Sequence, residues 1–150
     1  MKIAIGADHG GYELKEEIKG FLEERKVHYY DFGTYDTNST DYPDWGIKVA
    51  EGVAKGEFER GILICGTGLG MCLVANKVPG IRATPCYETF GARLSREHNN
   101  SNVLTLGGRI TGKDLAKQIV EEWLKAEFKK GRHKRRLEKL SSIETRYLRR

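Results

Sequence analysis

A thiol followed by a run of glycines is the first chemistry visible in this 150-residue chain. Cys65-Gly66-Thr67-Gly68-Leu69-Gly70 stands directly behind the apolar run Gly61–Ile64. A strand feeding a glycine-rich turn that opens a helix presents backbone N–H groups to an anion, and the helix N-terminus adds about half a positive charge. Cys65 sits at the mouth of that turn, where a lowered thiol pKa would make it an acid–base group or a nucleophile. The first apolar run ends in Asp8-His9-Gly10-Gly11. A carboxylate, an imidazole and a thiol at neighbouring strand ends suit acid–base chemistry; the alternative is that Asp8 caps a helix and His9 is a surface residue.

Three further groups carry charge or a titratable ring. His98-Asn99 lies between a helix and a strand entrance, where a lone histidine is commonly solvated. Gly107-Gly108-Arg109 puts a guanidinium behind another apolar run. Arg132 and Arg136, four residues apart, share a helix face, and arginine forks suit phosphate oxygens. A solvated basic face is the competing reading, and it is the one given to Lys129, Lys130, Lys134 and Arg135. Cys72 and Cys86 lie in apolar surroundings and read as core.

Several function classes are disfavoured. Gly66–Gly70 spells G-T-G-L-G, not G-x-G-x-x-G, and no acidic residue closes a second strand about 20 residues later, so a dinucleotide site does not fit. No Gly-Lys-Ser/Thr follows, which removes a Walker loop. A compact nest of N–H donors for a small oxyanion fits better. Three cysteines without C-x-x-C spacing argue against a disulfide framework or structural zinc and for a reducing cytoplasm. No apolar run reaches the ~18 residues of a membrane span, and Met1–Gly6 reads as a strand, not a signal peptide. The net charge of +5 is uneven: residues 125–150 hold 11 Lys/Arg and 3 Asp/Glu (+8), the rest 15 and 18 (−3). Such a basic end suits nucleic acid, an anionic small ligand or an acidic subunit surface. Nucleic acid is disfavoured because stacking aromatics are not interleaved with the basic residues.

The elements that must position these groups alternate strand and helix. Strands are expected at Lys2–Gly6, Val27–Phe32, Gly61–Cys65, Arg82–Cys86 and Val103–Leu106. Helices are expected at Gly11–Arg25, Trp45–Ala54, Leu69–Lys77, Thr89–Arg96 and Gly112–Lys125, the last with an apolar face of Leu115, Ile119, Trp123 and Leu124. A polar loop, 33–43, is long enough to be functional. This pattern predicts one α/β domain over residues 1–150: a three-layer α/β/α sandwich on a five-stranded parallel sheet, Rossmann-like, with strand order 2-1-3-4-5. A last amphipathic helix, Leu137–Leu148, carries Leu137, Leu140, Ile143, Tyr147 and Leu148 on one stripe. That stripe needs a surface, either its own domain or another subunit.

Taken together, Asp8-His9-Gly10-Gly11, Cys65-Gly66-Thr67-Gly68-x-Gly70, His98-Asn99, Gly107-Gly108-Arg109 and the Arg132/Arg136 pair resemble the ribose-5-phosphate isomerase type B family, which includes the galactose-6-phosphate isomerase subunits. The resemblance runs from residue 1 to about 140, in order and with the expected spacing; the stretch after about 142 lies outside the motif set.

The resemblance implies an aldose–ketose isomerase of the non-oxidative pentose phosphate branch that needs no redox cofactor and no metal. It would interconvert D-ribose 5-phosphate and D-ribulose 5-phosphate by ring opening and proton transfer between C2 and C1 through an enediolate. Cys65 would be the base, and His98, helped by Thr67, the acid that opens the ring. The N–H groups of Gly66, Gly68 and Gly70 would hold the enediolate oxygen. Asp8 would contact substrate hydroxyls and relay protons between the two oxygens as a catalytic group, Asn99 would bind a sugar hydroxyl, and Tyr42, on the long loop, would line the pocket. His9, Arg109, Arg132 and Arg136 would bind the phosphate. The family also implies a homodimer, or a tetramer, with active sites shared between subunits and with residues 131–150 contributing to the interface and phosphate site. A six-carbon sugar phosphate, such as galactose 6-phosphate or allose 6-phosphate, is the alternative substrate. A nucleotide- or nucleic-acid-binding module is the alternative class.

Overall fold

Five short apolar segments pair side by side, all parallel, and everything else is arranged by that choice. The structure, a computed structural model, describes residues 1–148; the last two residues of the basic end lie outside them. In chain order the elements are β1 (Lys2–Ala7), α1 (Tyr12–Glu24), β2 (His28–Asp31), α2 (Tyr42–Ala54), β3 (Arg60–Cys65), α3 (Leu69–Asn76), β4 (Ala83–Pro85), α4 (Thr89–Glu97), β5 (Val103–Gly107), α5 (Lys113–Lys125) and α6 (Arg132–Leu148).

Parallel strands covered on both faces are apolar on both faces, and β1, β3 and β5 are buried almost throughout. Alternate side chains serve two cores. Ile3, Ile5, Ile62, Ile64, Leu104 and Leu106 meet α1, α4 and α5 on one face, with Trp123 at the centre. Ala4, Leu63, Cys65 and Val103 meet α2 and α3 on the other, through Val49, Val53 and Met71. Each fully buried aliphatic side chain contributes roughly 1.5–3 kcal/mol.

The strand order is β2-β1-β3-β5-β4, which corrects the expected 2-1-3-4-5. β5 pairs with β3 from Gly61↔Val103 to Cys65↔Gly107, and β4 lies outside it. The reason is visible in the two strands: β5 is fully buried, whereas β4 has three residues and ends in Pro85, which has no N–H to give and belongs on an edge. Three smaller expectations also shift. Pro43 in the first turn starts α2 at Tyr42, so Tyr42 is helical and not on the loop. Leu115 is exposed, and Ala116 and Val120 join Ile119 and Trp123 on the buried face of α5. Finally, α6 begins at Arg132, directly after Gly131, and not at Leu137.

Two features outside the core reach toward the site. Lys15, fully buried, donates to both carboxylate oxygens of Asp31 at 2.7 and 2.6 Å. Asp31 Oδ1 also accepts the Gly33 N–H at 2.8 Å, and Gly33–Thr34 bonds back to Ala7, so the ion pair ties the following loop to the end of β1. The other feature is α6, none of whose residues is buried. It lies along the β4 edge, where Glu144 accepts the Gly80 N–H, and a groove of about 560 Å³ lined by Ile81, Leu137, Leu140 and Ile143 remains between them. Its contact with its own domain therefore leaves most of the apolar stripe uncovered.

Candidate active site

Three strands end at the same edge of the sheet, and their loops are in contact. The Gly108 N–H donates to the Cys65 carbonyl at 2.8 Å and the Arg109 N–H to the Gly66 carbonyl at 3.0 Å, which docks the β5 loop on the β3 loop. A Cβ on Gly108 would stand 2.5 Å from the Gly10 carbonyl oxygen, so only glycine allows the β1 loop to close against it. Asp8, Cys65 and Arg109 thereby share one crevice beyond the strand carboxyl ends, the place where open α/β sheets bind ligands.

Within that crevice the Asp8 side chain holds the turn that precedes α1. Its Oδ1 accepts the Gly10 and Gly11 N–H groups at 2.9 and 3.2 Å, holding the turn before α1, and Oδ2 takes no part in those bonds. His9 Nδ1 accepts the Thr40 N–H at 3.1 Å. A backbone N–H cannot accept, so neutral His9 carries its proton on Nε2. The Lys15–Asp31 pair thus holds the start of the loop that supplies Thr40.

The β3 turn aims one of its backbone N–H groups at the thiol. Gly68 has φ +83°, the left-handed region that favours glycine, and its N–H donates to Cys65 Sγ at 3.2 Å. The Gly68 carbonyl is held by Thr105 Oγ1 at 2.8 Å. Thr67 Oγ1 accepts the Leu69 N–H at 3.3 Å, and the Thr67 carbonyl accepts the Tyr87 hydroxyl at 2.8 Å. The Arg109 side chain lies over Gly66, 3.4 Å from where a Cβ would be, and the Tyr42 ring lies 2.9 Å from the same point on Gly70. A nearly buried thiol, peptide N–H donors, a carboxylate and a guanidinium therefore converge. Burial of Cys72 and Cys86 pushes both thiols up, which favours their protonated form. All three thiols are unpaired.

The remaining candidates form a second cluster. His98 ends α4 just ahead of β5, at the amino edge of the sheet. Its ring stacks on His133 with centroids 4.1 Å apart and planes 10° apart. Asn99 lines the groove beneath α6. Arg132 and Arg136 flank His133, whose pKa is lowered by desolvation and then by the charges of His98, Arg132, Arg136 and Lys129. Asp8, His9, Tyr42, Cys65, Gly66, Thr67, Gly68, Gly70 and Arg109 thus gather at the carboxyl edge, while His98, Asn99, Arg132 and Arg136 gather at the amino edge. Tyr87, Thr40 and His133 were not foreseen. The first two act through backbone bonds that no spacing encodes; His133, between two singled-out arginines, was within reach of the motif. Among the described residues, no group of three or more His, Cys, Asp or Glu could hold a metal ion.

Comparison with known proteins places this arrangement. The Ribose/Galactose Isomerase family profile matches residues 3–140. Ribose-5-phosphate isomerase B of Escherichia coli K12 is 51% identical over 145 residues, covering 97% of each chain. A solved structure of ribose-5-phosphate isomerase B from Clostridium thermocellum is 58% identical, with a TM-score of 0.97 over 98% of this chain and 99% of that one. Another, from Mycoplasma genitalium with bound ribulose-5-phosphate, is 40% identical, with a TM-score of 0.92 over 96% of both chains. With the strand-end loops, the crevice and these likenesses in agreement, the chain belongs to the Ribose/Galactose Isomerase family.

Proposed function

We propose that this protein interconverts D-ribose 5-phosphate and D-ribulose 5-phosphate, with Cys65 as the base. The observation that carries the reading is the Gly68 N–H bond to Cys65 Sγ, which fixes the sulfur at the mouth of the turn, where it takes a proton from C2 and returns it at C1. As the proton leaves, negative charge grows on the neighbouring sugar oxygen. The Gly66 and Gly70 N–H groups of the turn receive it, the Gly68 N–H being given to Cys65 Sγ. Asp8 Oδ2 faces the sugar hydroxyls, and Tyr42 closes the wall above Gly70. His9 and Arg109 hold the phosphate from this side.

His98, assisted by Thr67, opens the ring, Asn99 holds a hydroxyl, and Arg132 and Arg136 complete the phosphate site. They do so from a second copy of the chain, in a homodimer with shared sites. Two features support that assembly. The catalytic set is divided between opposite edges of one sheet. Around the carboxyl edge, Leu69, Leu73, Phe90 and Ile110 are each more than half exposed, beside the incomplete crevice. The uncovered stripe of α6 supplies a surface of the same character near His98. Three unpaired thiols, one of them working as a base, favour a reducing cytoplasm as the place of action.

The deciding experiment is a coupled isomerase assay comparing ribose 5-phosphate with galactose 6-phosphate and allose 6-phosphate. A kcat/KM highest on the five-carbon sugar is expected. Preference for a six-carbon sugar would keep the chemistry and replace the substrate; no turnover on any of them would overturn the reading.

A further inference from the structure

One peptide group joins Cys65 to an aromatic side chain that none of the motifs contains. The unit is the trans peptide between Thr67 and Gly68. Its N–H donates to Cys65 Sγ at 3.2 Å, and its carbonyl accepts the Tyr87 hydroxyl at 2.8 Å. In a trans peptide the N–H and C=O point in opposite directions, so the two bonds are the two ends of one rigid plane. We propose that Tyr87 is a positioning residue for the isomerase reaction: its hydroxyl fixes the Thr67–Gly68 peptide with the N–H toward Cys65 and so favours the thiolate. This rests on Cys65 being the base.

The Thr67 carbonyl packs against Gly107, and the Tyr87 hydroxyl is the side-chain donor that holds it. Gly68 carries no Cβ to resist rotation of the preceding peptide, and its own carbonyl is held separately, by Thr105. Tyr87 is reached from the loop after β4, 20 residues along the chain, so its bond crosses from one strand end to another. A hydrogen bond on the carbonyl also polarises the amide and strengthens the N–H donor at its other end. Burial, and then the neighbouring Cys65, Cys72 and Cys86, raise the Tyr87 pKa, which keeps the phenol protonated as a donor. At 38% exposure, Tyr87 is not a core residue whose shape the fold requires.

The test removes the hydroxyl alone. In Tyr87→Phe, alkylation of Cys65 by iodoacetamide, followed peptide by peptide across pH, should have its midpoint raised by about half to one pH unit, as expected for loss of one modest hydrogen bond. The same substitution should lower kcat about three- to tenfold with KM little changed. Tyr87→Leu, which also lacks the donor, must raise the midpoint in the same direction. An unshifted midpoint in folded protein overturns the proposal, whatever happens to kcat. The alkylation reads the thiolate and not turnover. If Cys65→Ala proved active, the base assignment would fail while the hold of Tyr87 on the thiol would still be measured.

Discussion

His98 and His133 lie face to face, 4.1 Å between centroids, at the junction of α4 and α6. Two imidazoles that close cannot both be charged cheaply, and Arg132, Arg136 and Lys129 add to the positive field. The pKa of His133 is lowered in the folded chain, first by desolvation and then by those charges. The unfolded chain therefore binds more protons, and folding stability rises with pH through the window just below the ordinary histidine value of about 6.5. In His133→Asn that slope should flatten: the melting temperature should fall less between pH 7.5 and 5.5 than in the parent. A slope equal to the parent's would show that the stack does not resist protonation.

Cys65→Ala should reduce kcat by about 10²–10⁴-fold, the range lost with a general base, while calorimetry still detects sugar-phosphate binding. A near-normal kcat would remove Cys65 from the base role.

Arg136→Ala should raise KM for ribose 5-phosphate about tenfold or more, the scale of a charge-assisted bond, with a smaller effect on kcat. An unchanged KM would take Arg136 out of the phosphate site.

The proposed sharing of sites between two copies makes a prediction about mixtures. Cys65→Ala and His98→Asn should each be nearly inactive alone. Unfolded together and refolded, half of the randomly formed dimers combine one of each and recover one intact site. Activity should return to roughly a quarter of the parent's. Steady-state assays of the mixture check this; no recovery would mean that His98 serves its own chain.

The Lys15–Asp31 pair should matter beyond its own surroundings. Burial alone would raise the Asp31 pKa, but hydrogen bonds from Lys15, the Gly33 N–H and Lys19 hold it below the usual carboxylate range. Its depressed value means that the stabilisation is present above the ordinary carboxylate pKa and is lost as pH falls through the folded value. Lys15→Met leaves Asp31 held by Lys19 and the Gly33 N–H alone and should cost about 2 kcal/mol at pH 7, the scale of a hydrogen bond to a charged group, read by urea titration. Because Asp31 anchors the loop that carries Thr40 to His9, the KM should rise as well. A stability loss with unchanged KM would separate the pair from the phosphate site.

Much of the fold was legible because its signal is local. The apolar runs of β1, β3 and β5 and the glycines behind them mark strand, turn and helix directly, and the carboxyl-edge half of the site follows from that topology. Lateral order is a different kind of information. Which neighbour β5 chooses depends on how deeply each strand is buried, and the clue at Pro85 lay in a segment short enough to pass as an ordinary strand. The start of α6 was missed because Arg132–Arg136 shows no apolar rhythm. Tyr87 was invisible for a related reason: its bond is to a carbonyl, which every residue has.

The split of the proposed catalytic set across the sheet has a kinetic consequence. A protomer that has folded and not yet paired would hold a base without its acid and half a phosphate grip. On the shared-site reading such a chain is silent toward sugars, and turnover per chain becomes a gauge of concentration. Specific activity should then decline on dilution below the dissociation constant of the pair and recover on reconcentration.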